Sequence, residues 1–205
     1  MLAALFTGCF APINSTFESA KLLDKGGIEV QGSYSKYYGA SFDDEDSNTN
    51  NNVGFAVGYG VSDKFNVKLR YERINVTSSE GLFDIETDAY GLNYFELSNK
   101  FSLKQDKIAV SIPLGVYIYE GEAAYSLDPR LFFTFGKSQT FEFNVVPKMH
   151  LVFGDEFEAT PGINLGFGIS KNLKEWAIRP EIGFDGYGTI GIGLNYYFQP
   201  KIGKE

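Results

Sequence analysis

The stretch VGFAVGYGVSDKFNVKLRYE, residues 53–72, decides the fold. Val53, Phe55, Val57, Tyr59 and Val61 alternate with Gly54, Ala56, Gly58 and Gly60. Ser62-Asp63-Lys64 then turns the chain. Beyond it Phe65, Val67, Leu69 and Tyr71 alternate with Asn66, Lys68, Arg70 and Glu72. A period of two marks a strand, because successive side chains leave opposite faces of the backbone. Two such runs joined by a tight polar turn read as a hairpin.

The same period recurs outward from this hairpin. Ile108, Val110, Ile112, Leu114, Val116 and Ile118 form one apolar face; Phe141, Phe143, Val145, Pro147, Met149 and Leu151 form another. Further faces are Ile163 to Ile169, Trp176 to Ile182 and Ile190 to Phe198. The reading is ten strands, over 27–41, 53–61, 65–75, 87–104, 108–119, 126–135, 140–153, 160–169, 176–184 and 189–198, with eight or twelve as the alternatives. In 87–104 the apolar phase slips near Tyr94-Phe95, which calls for a β-bulge. Helical periodicity is confined to Thr16–Leu23.

Composition narrows the class. The chain has 205 residues, enough for one sizeable domain, and a formal net charge of -8, which argues against nucleic acid as a partner. A single Cys excludes a disulfide framework and a Cys-based zinc cluster. No run approaches the length of a membrane-spanning helix. Alternation alone does not say which face is inside, but three features favour a membrane barrel with its apolar face outward. The polar face is sparse and rich in Gly, where a soluble surface would carry more Lys, Glu and Thr. The connections alternate. Residues 42–52 (Asp43, Asp44, Glu45, Asp46), 76–88 (Glu80, Asp84, Glu86, Asp88), 120–125 (Glu120, Glu122) and 154–159 (Asp155, Glu156, Glu158) are longer and acidic. The others are shorter and carry Lys64, Lys107, Lys137, Lys171 and Lys174. Aromatics gather at strand ends, as at Tyr34, Tyr37 and Tyr38, Tyr117 and Tyr119, and Tyr196, Tyr197 and Phe198.

The segments ESAKLLDKGGIEVQGSYSKY (18–37), YFELSNKFSLKQDKIAVSIPLG (94–115) and GLNYYF (193–198) resemble the small outer-membrane β-barrel proteins of the Bacteroidota. The resemblance implies an all-β, antiparallel, up-and-down transmembrane β-barrel in the bacterial outer membrane with both termini in the periplasm. MLAALFTG before Cys9 resembles the end of a lipoprotein signal peptide, which would make Cys9 the lipidated first residue. Residues 1–8 are then a signal remnant, 9–26 a periplasmic lead-in, 27–198 the barrel and 199–205 a periplasmic tail. The implied partners are outer-membrane lipids, lipopolysaccharide and other outer-membrane proteins.

With the apolar face outward, the lumen is expected to hold Lys68, Arg70, Arg130, Lys148 and Arg179 against Glu29, Glu72, Asp128, Glu142 and Glu181, joined by Asn66, Asn144, Asn164, Gln31 and His150. Inward glycines at 54, 58, 60, 162, 166, 168, 191 and 193 leave room for long side chains opposite. The balance of signs reads as a neutral plug, since buried charges need partners and a selective pore shows a surplus of one sign. That favours a structural or accessory barrel, or a subunit of a larger envelope complex, over a narrow channel for ions or small solutes. Catalysis is not expected. His150, the only His, would lie near Asp155 and Glu156, but Leu151 and Val152 offer no nucleophile beside it. The acidic run 43–52 lacks the Gly and distant Glu of a calcium loop, and no metal or cofactor is expected. Asn75-Val76-Thr77 fits a glycosylation sequon, which carries nothing in a bacterial setting. A soluble ligand-binding barrel would instead bury Phe55, Leu69 and Ile112.

Overall fold

The computed structural model describes residues 15–38, 47–80, 85–136, 138–154, 157–185 and 188–199, without the side chains of 47–49, 77–80 and 85–90. Twelve strands form one sheet: β1 (Ile28–Tyr38), β2 (Ser47–Ser62), β3 (Phe65–Glu80), β4 (Ile85–Lys104), β5 (Ile108–Ser111), β6 (Leu114–Tyr119), β7 (Glu122–Leu127), β8 (Arg130–Phe135), β9 (Phe141–Phe153), β10 (Phe157–Ile169), β11 (Trp176–Phe184) and β12 (Gly188–Phe198). β5 and β6 are halves of one stave, and so are β7 and β8. Pro113 and Pro129, which lack an N–H, interrupt both ladders side by side. The gap is bridged by Asp128 N–H donating to the Pro113 carbonyl and Met149 N–H to that of Pro129, both at 3.0 Å. The result is a closed antiparallel barrel of ten staves, each paired with its neighbours in sequence. Closure is the pairing of β1 with β12, from Ile28 opposite Phe198 to Tyr38 opposite Gly188.

The apolar face is the outer one. Phe55, Leu69 and Ile112 are 52%, 60% and 46% exposed, so they form no soluble core. On β2 the outward apolar residues run from Val53 to Val61. That is about 27 Å of strand, or about 21 Å of height at the usual barrel tilt, close to the apolar band of an outer-membrane barrel. Tyr34, Tyr38, Tyr196 and Phe198 face out at its margins. Tyr37 and Tyr117, expected among them, point inward and are buried; Tyr119 and Tyr197 share that inward phase, Tyr119 against the buried cluster and Tyr197 accepting from Arg179.

Four further expectations are corrected. No bulge lies at Tyr94-Phe95. β4 keeps one phase throughout, with Tyr94 buried and Phe95 exposed, and the slip in the sequence is an aromatic placed in the lumen. The register shifts sit instead at Gly60/Ser62, Ser78/Ser79 and Ser102/Lys104. The four acidic connections are shorter than expected. Pairing continues through Ser47–Asn52 and Val76–Glu80, and it resumes at Ile85, Glu122 and Phe157. The segments between the strand ends are 39–46, 81–84, 120–121 and 154–156, against 63–64, 105–107, 136–140 and 170–175 at the other end. Glu120 and Gly121 both have positive φ (49° and 89°), the requirement of a two-residue type I′ hairpin turn. Of the 43–52 run, Ser47–Asn52 is strand and 43–46 lies outside the described residues, as do 1–8, Cys9 and 200–205. Thr16–Leu23 is not helical. It is an irregular segment whose backbone N–H groups bond to side chains of the barrel wall.

Candidate functional site

The expected lead-in 9–26 is, over its described part, an insert within the barrel. From Gly26, whose N–H reaches the Gly60 carbonyl at 2.7 Å at the end bearing the Lys-rich turns, the chain runs back into the lumen. Ser15 to Ala20 are all buried there. Ala20 N–H donates to Thr134 Oγ1 at 2.7 Å. Thr16 N–H and Phe17 N–H donate to the two carboxylate oxygens of Glu181 at 2.6 and 2.9 Å, and Thr16 Oγ1 adds a third bond at 2.9 Å. Phe17 takes a positive φ of 53° and is 1% exposed. Its ring lies on the inward face of β12, where glycine is required. A Cβ at Gly193 would stand 2.7 Å from that of Phe17, and one at Gly191 would stand 2.7 Å from the ring.

Period two places the polar residues around this insert in layers. Nearest the turn end, Glu18 lies between Lys100, with which it forms an ion pair, and Lys68 at 3.3 Å. Lys68 also reaches Glu29 at 2.7 Å, and Asn195 Nδ2 donates to Glu29 at 2.6 Å. Glu142 takes Arg179 on one oxygen and Lys21 on the other, both at 2.7 Å. In the next layer Arg70 pairs with Glu72, and Arg130 forks onto Glu96 at 3.2 and 2.5 Å. Asp128, at the break between β7 and β8, accepts from Tyr94 and Ser126 hydroxyls at 3.1 Å each and pairs with His150 Nδ1. His150 Nε2 lies 3.2 Å from the Tyr117 hydroxyl. Lys148 stands 3.9 Å from Asp185. Above these layers the inward face turns apolar. Ile74, Val76, Leu92, Tyr94, Tyr117, Ala124 and Val152 form a buried cluster toward the loop end. At the turn end a cavity of about 460 Å³ remains between the insert and the rim, lined by Lys21, Lys100, Lys107, Leu173 and Tyr197 among others.

All eleven of the expected lumen residues, Glu29, Lys68, Arg70, Glu72, Asp128, Arg130, Glu142, Lys148, His150, Arg179 and Glu181, lie buried on the inner face. Sequence reasoning missed Glu18, Glu96, Lys100 and Asp185, which are buried with them. Glu96 and Lys100 share the phase of Tyr94 and Ser98, so reading β4 without a bulge would have found both. Among the described residues eight carboxylates and six Lys or Arg are buried. Lys21 and His150 each pair with one of those carboxylates. His150 meets Asp128 rather than the expected Asp155 and Glu156, which lie outside the described residues. The Ser126 hydroxyl beside this pair bonds to the carboxylate. The pair is a carboxylate bonded to an imidazole, with the Tyr94 hydroxyl on the carboxylate and the Tyr117 hydroxyl on Nε2. No cluster of three or more His, Cys, Asp or Glu with metal-binding geometry occurs among the described residues.

No family model and no curated protein sequence matches the chain. Solved structures do. An outer-membrane channel from Pseudomonas putida F1 is 9% identical with a TM-score of 0.54, over 92% of this chain and 100% of that one. OprG, an outer-membrane protein of Pseudomonas aeruginosa, is 12% identical with a TM-score of 0.43, over 89% and 100%. The attachment invasion locus protein Ail of Yersinia pestis is 10% identical with a TM-score of 0.30, over 85% and 99%. At these identities the likeness to the Pseudomonas putida channel is one of fold.

Proposed function

We propose that this chain is an outer-membrane β-barrel closed along its axis, acting as a structural or accessory component of the cell envelope and held in a larger outer-membrane assembly. One observation carries the reading: the lumen is filled in succession by the insert, by paired charges and by an apolar cluster. A charge-selective pore shows a surplus of one sign along a continuous water path, whereas here buried carboxylates and cations are mixed and most stand in ion pairs. The runner-up is a narrow channel that opens when the insert leaves. What favours it is that the insert is held by side-chain bonds and not by strand pairing.

Planar-bilayer conductance of the purified full chain separates the two. The native barrel is expected to be silent. Gly193→Val fills the berth of Phe17, should expel the insert and should open the lumen, with gel mobility in the unheated state showing that the barrel stays folded. Steady conductance by the native protein would overturn the closed reading. The assembly and the acylation of Cys9 are read together from the native mass after mild-detergent extraction. A particle well above one 22.8 kDa chain with its micelle, and an acyl increment on that chain, are expected. A lone, unmodified chain would reject both.

A further inference from the structure

The outer wall carries two cations where the apolar band ends. On β1, Lys36 shares the outward phase of Tyr34 and Tyr38, and its Nζ lies 5.3 Å from the centre of the Tyr38 ring. On β3, Arg73 shares the outward phase of Leu69 and Tyr71. Across the sheet Lys36 faces Asn51, and Asn51 faces Asn75, two residues beyond Arg73. The neighbouring spacings put the two cations roughly 12 Å apart along the wall. Among the described residues the one other strand cation with outward phase is Lys104, which stands opposite Ile108 at the far rim; no carboxylate on a strand shares that phase, and neither Lys36 nor Arg73 forms a salt bridge.

The place is built rather than incidental. The Arg73 guanidinium lies over Gly91 of β4, so close that a Cβ there would stand 2.6 Å from its central carbon. Arg73 Nη1 donates to Asn93 Oδ1 at 3.2 Å, which holds the fork against the wall. Asn93 Oδ1 also accepts from Tyr71 at 2.9 Å, and Asn51 Oδ1 accepts from Tyr34 at 2.9 Å. Each of these amides thus keeps its Nδ2 as a donor. Below the row stand Val53 and Phe95, both exposed and apolar. A lipid whose tails lie against that surface brings its head group level with two cations and a row of amide donors.

We propose that Lys36 and Arg73 form a binding site for the phosphate of an outer-leaflet lipid head group, with Asn51 and Asn93 supplying neutral donors. Guanidinium matches phosphate as a planar fork, and Lys36 adds a mobile point charge. The proposal rests on the reading of this chain as a membrane barrel.

Native mass spectrometry of the full chain in mild detergent, titrated with lipid A, tests it. The native barrel should bind bis-phosphorylated lipid A and lose that binding when the lipid is dephosphorylated. Lys36→Gln or Arg73→Gln should each weaken binding about fivefold, and the pair about thirtyfold, as expected for roughly one unit of interfacial charge apiece. Lys104→Gln, at the opposite rim, should leave it unchanged. Inorganic phosphate that competes fully would show a site for free phosphate and not for a lipid. Equal loss with Lys104→Gln, or indifference to the lipid's phosphates, would overturn the site. A chain that neither needs detergent nor floats with membranes fails the membrane reading itself, an outcome distinct from a membrane barrel without phosphate preference.

Discussion

Single residues show how closely the lumen is matched. Arg130 and Glu96 are both buried, and the guanidinium meets the two carboxylate oxygens as a fork at 3.2 and 2.5 Å. Removing one member of such a pair leaves an uncompensated charge in a dry interior, which costs about 3–5 kcal/mol, whereas replacing both with apolar groups is close to neutral. Glu96→Gln should therefore destabilise the barrel by about that amount in urea unfolding from lipid vesicles. Glu96→Leu combined with Arg130→Met should recover most of the loss. If the double variant were as unstable as the sum of the singles, the two residues would not be acting on each other. Neighbouring contacts tie the same network to β7, since Tyr94 bonds to both Glu96 and Asp128.

At the scale of elements, the strands were legible because their signal is local. Ten runs of period-two alternation were expected and ten staves are present, with the Pro113 and Pro129 breaks splitting two of them. Strand ends were less legible, because pairing through Ser47–Asn52 and Val76–Glu80 depends on the partner strand rather than on apolar periodicity. That extension removed the length contrast between the two ends. The insert was the least legible. TFESAKLL carries apolar residues at helical spacing, but Phe17 and Glu18 find partners that lie far along the chain, at Gly193, Lys68 and Lys100. Nothing local announces those partners. The inward glycines of β12 did predict a long side chain opposite, but only the fold shows that this side chain belongs to the N-terminal segment. His150 illustrates the same limit. Its burial follows from strand phase, while its partner comes from the broken stave next door.

For the whole molecule, the outer surface gives the sharpest physical test of where the barrel resides. Leu69 is 60% exposed and pairs in register with Val57, the midpoint of the apolar run Val53–Val61. In a bilayer that position is near the midplane, where an arginine on a barrel exterior costs about 2–4 kcal/mol. Near the interface the same residue costs about 0–1 kcal/mol. The chain itself follows this gradient: its outward Arg73 stands at the margin of the band, four residues along β3 from Leu69. Leu69→Arg should thus lower unfolding stability in vesicles by about 2–4 kcal/mol, and Asn75→Arg, further out on the same exposed face, by less than about 1 kcal/mol. On a water-facing surface the order would vanish, because exchanging an exposed leucine for arginine removes apolar area from water and leaves the core untouched. Measured equality of the two variants would therefore reject a lipid-facing exterior, whatever the lumen contains. A depth-dependent cost would fix the position of the barrel along the membrane normal, and with it the level at which Lys36 and Arg73 meet the head groups.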